Sequence, residues 1–393
     1  MRRFLTAFLA CALTILIVAG CDVPTPPPEL PTPTPGSQNP ENDQSRAPLT
    51  PVRITPDRGF TPIAGPPGHI YFVRDSHLWT IEPDGTGERQ LSDITITNQP
   101  QPSPDGKMIA WVGGRDLYVM PSSGGEARKL YTGDMAEKQF TGWNREGTMV
   151  GFFTYDLTTM GTENAWAIPV AGGEPTLLTT FTGSIGNRGS TYERSVKWSP
   201  DGNWVVVGAA NNPSRLRRWP LSTGRDGDVR DIPGGEPDWA PDSRTLLYTE
   251  TLGGAVLIYS VIEDKATPFR NEKLFVGTGL GEYAQGPGPL WSPASIGSDS
   301  DILVYRSRSN GGEPNIAVRT RGGQDYTSLP NLTNNPAWSP SGDRVVVETG
   351  VVRNGDLGLQ WAPTGIAIAT VNINGDHNLT PLAKDAQMPS WGK

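Results

Sequence analysis

From residue 68 to residue 393 the apolar positions of this chain fall in short runs separated by tight polar turns, and one phrase keeps returning. Its fullest form is Trp198-Ser199-Pro200-Asp201-Gly202, followed by the apolar run from Trp204 to Val207. Related phrases begin at Pro102, Trp143, Trp239, Trp291 and Trp338, and a last one, Trp391-Gly392-Lys393, closes the chain. That makes seven copies spaced 41 to 55 residues apart. Each copy predicts the same order of elements. The Trp ends a first strand. Ser-Pro-Asp-Gly then makes a tight turn, because proline presets φ, aspartate bonds its own backbone and glycine takes positive φ.

Three more strands follow in each unit. The second is a short β-rich run such as Met108 to Val112, Val205 to Gly208, Thr245 to Thr249, Ile302 to Tyr305 or Arg344 to Val347. The third covers Leu117 to Met120, Ala165 to Val170, Val256 to Val261, Asn315 to Arg319 or Gly365 to Val371, and ends on a Gly-rich turn such as Ser123-Gly124-Gly125 or Ala171-Gly172-Gly173. A fourth short strand completes the unit, as at Arg128 to Leu130. An all-β chain repeating at this period predicts a β-propeller with four strands per blade. The two ends fit each other. His69 to Val73, Leu78 to Ile81 and Arg89 to Leu91 are strands two to four of a blade without its first strand, and Met388-Pro389-Ser390-Trp391 is a first strand alone. Joining them closes the ring and removes the unpaired edges between first and last blades. Seven blades are expected; six is the alternative, should the irregular turn from Ala294 to Ser300 not belong to a full blade.

On these Trp-Ser-Pro-Asp-Gly phrases the segment 68–393 resembles the TolB-like, WD-like propeller repeat family. The match is fullest at Trp198 and Trp338, good at Pro102 and Trp239, and degenerate at Trp143 and Trp291. The resemblance implies a fold and leaves function open. TolB itself carries an α/β domain before a six-bladed ring. Here a Pro-rich stretch stands in that place, so no Tol–Pal role is carried over.

The first 67 residues read differently. Met1-Arg2-Arg3 is a basic start, Phe4 to Val18 is an apolar run, and Val18-Ala19-Gly20-Cys21 resembles a bacterial lipobox. Residues 1–20 are therefore expected to be a signal peptide, with a lipid such as palmitate on Cys21. The protein is then exported and anchored to the bacterial cell membrane, facing the periplasm or the cell exterior. Asp22, next to Cys21, resembles an inner-membrane retention signal, so inner and outer membrane both stay open. Residues 22–67 read as a disordered Pro-rich tether, able to span up to ~140 Å when extended.

Only Cys11 and Cys21 are cysteines, so the propeller segment has no disulfide, no Cys–zinc site and no Cys nucleophile. The net charge of −8 becomes −10 without Arg2 and Arg3, which excludes a basic nucleic-acid footprint. The tryptophans recur in one repeat slot and are expected to pack between blades rather than to stack ligand. Asp105, Asp201 and Asp242 occupy turn positions that want aspartate. His69, His77 and His377 lack the partners of a zinc site or a triad, and no nucleophile elbow or P-loop is present. No catalytic residue, metal or cofactor is expected, and the chain reads as a monomer.

Loop length points to one face. The turns joining strands one–two and three–four are short, whereas Thr154 to Asn164, Thr180 to Arg194, Gly208 to Arg215, Gly277 to Pro289 and Glu348 to Pro363 read as long loops on the opposite face. They carry Tyr155, Arg188, Tyr192, Tyr283 and Trp361, the candidate ligand-binding residues. The expected function is a binding or scaffolding module for a protein or glycan. The alternatives are a polysaccharide hydrolase or lyase, marked by a carboxylate pair in the central channel, and a structural spacer.

Overall fold

The computed structural model describes residues 68–133, 142–156, 162–182, 194–209, 212–221, 229–250, 256–268, 289–296, 298–299, 301–308, 314–322, 326–330, 332–355, 358–371, 373 and 377–393. Every regular element among them is a strand. The chain opens with β1 (Ile70–Arg74), β2 (His77–Ile81) and β3 (Arg89–Ser92). Blade one follows as β4 (Gln101–Pro102), β5 (Met108–Gly113), β6 (Asp116–Pro121) and β7 (Arg128–Thr132). Blade two is β8 (Gly142–Trp143), β9 (Met149–Asp156), β10 (Thr162–Pro169) and β11 (Thr176–Phe181). Blade three is β12 (Ser195–Trp198), β13 (Trp204–Ala209), β14 (Asn212–Arg218) and β15 (Val229–Ile232). Blade four is β16 (Gly234–Trp239), β17 (Thr245–Glu250), β18 (Val256–Ser260) and β19 (Lys265–Pro268). Blade five is β20 (Leu290–Trp291), β21 (Ile302–Arg308), β22 (Pro314–Thr320) and β23 (Tyr326–Ser328). Blade six is β24 (Thr333–Trp338), β25 (Arg344–Gly355), β26 (Gly358–Thr370) and β27 (Leu379–Lys384).

The last strand, β28 (Gln387–Trp391), pairs antiparallel with β1 and completes blade seven in the order β28-β1-β2-β3. Seven four-stranded antiparallel sheets result, and the region with the irregular turn forms a full blade. First strands of adjacent blades touch one another, β24 with β28 and β28 with β4 among them, which puts them around the axis.

The second strands show what holds the ring together. Along β13, Val205 and Val207 pack toward blade two, while Trp204 and Val206 pack toward blade four. Along β25, Val345 and Val347 face blade five and Val346 faces blade seven. A strand that is apolar at successive positions therefore serves two neighbours, one with each row, as the period of two requires. Seven such clusters fill the seven seams. Each fully buried Val, Leu or Phe among them contributes roughly 1.5–3 kcal/mol.

The anchor tryptophans pack in these seams, as expected, and several also bond across them. Trp143 Nε1 donates to Gln101 O at 2.8 Å, Trp239 Nε1 to Lys197 O at 3.0 Å, and Trp338 Nε1 to Leu290 O at 3.4 Å. Each acceptor is the residue just before the anchor position of the preceding blade. Arginines add side-chain to backbone bonds at the rim: Arg74 reaches Lys384 O at 2.8 Å, Arg89 reaches Ser123 O at 3.1 Å, and Arg230 reaches Val261 O at 2.6 Å.

The short-turn face is built as the repeat predicts. In blade three, Asp201 Oδ1 accepts from Ser199 Oγ at 2.5 Å and from Asn203 N at 3.1 Å, and Gly202 takes φ +76°. Blade four has Ser243 in the glycine slot, held at φ 59°. Ring closure lies on the same side, where Gly392 N donates to His69 O at 2.9 Å.

One expectation fails here. Glu348 to Pro363 is not a loop. It belongs to β25 and β26, which are 12 and 13 residues long and form one continuous hairpin. Its alternation of Val, Trp and Ala with Gly and Pro hid the strand pattern. Two other expected loops are also shortened, because β9 and β10 extend to Asp156 and Thr162, and β13 and β14 to Ala209 and Asn212.

Gly142 tests the tightness of the ring near the axis. A Cβ there would stand 1.7 Å from Val196 O of blade three. Gly142→Ala is expected to cost about 3 kcal/mol through forced separation of these strands, read as a lowered midpoint in denaturant unfolding. A cost below about 0.5 kcal/mol, the range of a neutral surface change, would show that the blades move apart freely.

Candidate functional site

Among the described residues, blade six carries the longest two-stranded extension at the long-loop end. β24 pairs with β25 only as far as Thr333↔Thr349, and β27 pairs with β26 only as far as Lys384↔Gly365. Past these points β25 and β26 pair with each other alone, from Gly350↔Pro363 to Gly355↔Gly358. Thr364 is left over between two paired positions and forms a bulge at the root of this two-stranded ribbon.

The register also says where the backbone groups point. Gly350 N donates to Leu332 O at 3.2 Å, on the β24 side. Alternation in an antiparallel pair then turns the N–H and C=O groups of Val352 and Asn354 outward on the same edge. No other strand among the described residues pairs with that edge. The β26 edge is protected at its root by Pro363, which has no N–H to offer. Outer strands β19 and β27 likewise contain Pro268 and Pro381. The β25 edge from Val351 to Gly355 has no proline guard.

Trp361 stands at the base of the ribbon, opposite Val352. Its ring lies so close to Gly350 that a Cβ there would meet Cζ2 at 2.6 Å and Cη2 at 2.8 Å. Its Nε1 donates to Glu348 Oε2 at 3.1 Å. Glu348 is buried in the row of β25 that faces the closing blade. Its Oε1 accepts from Met388 N of β28 at 2.5 Å, and Asn335 bonds the same carboxyl. Burial pushes the Glu348 carboxyl above the usual range, against the opposing pull of the Met388 amide, Asn335 and Trp361. The corresponding position of the other blades, three residues past the partner of the anchor, is Val73, Val112, Phe153, Gly208, Thr249 or Arg306. Sequence reasoning missed Glu348. A signal was present: a carboxylate ends the apolar run Val345-Val346-Val347 in a slot that is uncharged in five other blades.

Several other charged and polar side chains of the blades are paired. Glu163 of β10 is buried against the Arg194 guanidinium, with Nε at 2.9 Å from Oε2. Lys197 Nζ meets Asp238 Oδ1 at 2.9 Å, and Asp238 Oδ2 accepts from Trp291 N at 3.0 Å. His69 Nδ1 lies 2.8 Å from Glu82, and His377 is bonded to Thr370 O at 3.1 Å. Among the described residues no cluster of three or more His, Asp or Glu side chains could hold a metal ion.

Of the candidate ligand-binding residues, only Trp361 can be followed as a side chain. The backbone of Tyr155 lies in β9 opposite Glu163. Cys21, Arg188, Tyr192 and Tyr283, with the side chain of Tyr155, lie outside the described residues.

The comparisons with known proteins agree on a fold. No family model matches the chain. Over 114 residues it is 31% identical to Tricorn protease homolog 1 of Streptomyces coelicolor, a match covering 28% of this chain and 11% of that protein. The chain thus matches about a tenth of that relative's length. A candidate 6-phosphogluconolactonase from Bacteroides fragilis aligns over 84% of this chain and 99% of its own, at 14% identity and TM-score 0.53. A prolyl endopeptidase aligns over 80% of this chain and half of its own, at 14% identity and TM-score 0.51. TolB from Acinetobacter baumannii covers 83% of this chain and 82% of its own, at 14% identity and TM-score 0.45. The lactonase and endopeptidase structures share the fold of this chain.

The turn aspartates behave as structural groups. Partial desolvation raises the Asp201 carboxyl, but donors from Ser199 and Asn203 outweigh it and the net shift is downward. Asp105 is lowered in the same way by Ser103 and Lys107, and Asp343 by Ser341 and Ser339. A carboxyl whose folded pKa lies below its unfolded value stabilises the fold above the unfolded value, about 3.9 for aspartate, and loses that contribution as pH falls through the folded value. Thermal midpoints are therefore expected to drop below about pH 4, and Asp201→Asn to drop less steeply there. Parallel curves for both proteins would contradict this role.

Proposed function

We propose that this chain is an exported, lipid-anchored envelope protein whose propeller docks an extended segment of another protein on the free edge of the blade-six ribbon. The observation that carries the reading is the unguarded β25 edge from Val351 to Gly355. An unpaired strand edge offers a row of N–H and C=O groups at fixed spacing, which suits an added strand. Trp361, fixed by Gly350 below it and by Glu348 at its nitrogen, supplies an apolar contact at the root of that row. Held aromatic anchors of this kind dominate protein recognition.

The placement of the ends supports this arrangement. Gly68 packs against Gly392 O and Pro340, on the short-turn face. The first described residue therefore lies on the face opposite the ribbon. A lipid on Cys21 and a Pro-rich tether of residues 22–67 would keep the chain at the membrane. A polysaccharide-cleaving site is not favoured. The raised carboxyl of Glu348 is buried, and its oxygens accept from Met388, Trp361 and Asn335 rather than facing a second carboxylate.

Two measurements test this. Panning a display library of random ten-residue peptides on the full chain is expected to enrich extended, apolar segments. Val352→Pro removes one outward N–H without breaking the hairpin ladder, and should weaken those peptides about tenfold or more. Binding of oligosaccharides but of no peptide would replace the partner by a glycan, and peptide binding indifferent to Val352→Pro would place the site elsewhere. Separately, Cys21→Ser is expected to move the protein from the membrane to the soluble fraction; an unchanged membrane fraction would remove the lipid anchor from the account.

A further inference from the structure

The open edge from Val351 to Gly355 is short and has two different sides. At strand spacing its residues span about 17 Å. The N–H and C=O groups of Val352 and Asn354 face outward along it and offer an incoming strand donors and acceptors in turn. At the root the line is already filled: Leu332 O accepts from Gly350 N, and Leu332 N donates to Pro314 O of blade five. An incoming segment therefore ends beside Val351 and runs outward from there.

Successive side chains of β25 fall on opposite sides of the ribbon. One side carries Val352, with Trp361 directly across the pair and its ring lying over Gly350. Because Gly350 has no side chain, the indole reaches from β26 onto the row of β25. Val352 and Trp361 are both half-buried. The other side carries Val351 and Arg353, with Ala362 across from Val351. Arg353 is exposed, and among the described residues no ion pair or hydrogen bond holds its guanidinium. Arg74, Arg89, Arg128 and Arg230, by contrast, are each tied to a backbone carbonyl of a neighbouring blade. In the antiparallel arrangement that the blades use, segment residues opposite Val352 and Asn354 share the indole's side. The residue between them stands opposite Arg353 in a pair that exchanges no hydrogen bond, where facing side chains come closest. Apolar residues complement the first two positions and a carboxylate the third, since opposite charges across a strand pair attract and like charges destabilise.

We propose that the ribbon selects partner segments of the pattern apolar–acidic–apolar, with the acidic residue paired to Arg353 and its apolar neighbours on the Trp361 side. This deepens the edge-docking reading and rests on it. A second copy of the same edge supplies no acid in that place. A two-fold axis at Arg353 opposes two guanidiniums, and one at Val352 or Asn354 sets Arg353 against Val351 or Gly355.

The test measures binding of labelled peptides to the full chain by fluorescence anisotropy. The probes share the core Thr-Val-Glu-Val-Thr, with the central Glu kept or replaced by Ser or Lys. The Glu peptide is expected to bind about two- to fivefold more tightly than the Ser peptide, and the Lys peptide more weakly than either. Arg353→Glu, a change at an exposed position, should reverse the order and favour Lys. Val352→Pro should weaken all of the peptides and leave their order unchanged. Equal affinities for the peptides, all lowered by Val352→Pro, would keep the docking edge and overturn the pattern. A Glu preference that survives Arg353→Glu would also overturn it, because the cation would then lie elsewhere. Binding of none of the peptides would remove the pattern together with the edge reading.

Discussion

The structure depends on one constraint: each second strand must be apolar on both faces, because it is the wall of two seams at once. Val205 and Val207 serve one neighbour and Val206 the other. A sheet with one wet face would tolerate polar residues at alternate positions, but a blade between two blades does not. From this follow the anchor tryptophans, whose indoles fill the seam and at Trp143, Trp239 and Trp338 bond back across it, and the glycines near the axis, where a Cβ at Gly142 would strike Val196 O. Closure follows too. A ring with two unfilled seam walls would expose the Ile70 and Phe72 row of β1, so the last strand of the chain returns to β1 and completes blade seven.

The same constraint explains why Glu348 stands out. A carboxylate in a seam wall is expensive to bury. The chain keeps one where β25 leaves its blade to become a free ribbon and where β28 closes the ring. Those two features meet at that carboxyl. The ribbon turns the long-loop face into a surface with direction and hydrogen-bonding capacity, and the carboxyl ties that surface to the stability of the closure.

Much of this was legible in the sequence. The Trp-Ser-Pro-Asp-Gly phrases gave blade number and strand order, because their turn chemistry is local. Incomplete first and last units gave the closure, because four strands per blade is a strict count. The ribbon was not legible: Gly350, Pro363 and Thr364 break the alternation at its root, and their strand character comes from the bulge and from Trp361 packing on Gly350. Glu348 escaped for another reason. Its partners Asn335 and Met388 are distant in sequence and meet only when blades six and seven are side by side. The cross-seam tryptophan and arginine bonds were invisible for the same reason, since their acceptors are backbone carbonyls that any residue could supply.

The central claim is that recognition belongs to the ribbon face and not to the short-turn face. The most direct measurement places a photo-reactive side chain at Arg353, on the exposed ribbon, or at Lys107, in a short turn, and irradiates intact cells. The account predicts a discrete protein adduct from Arg353 and none from Lys107. Adducts from Lys107 alone, or identical adducts from both positions, would contradict it.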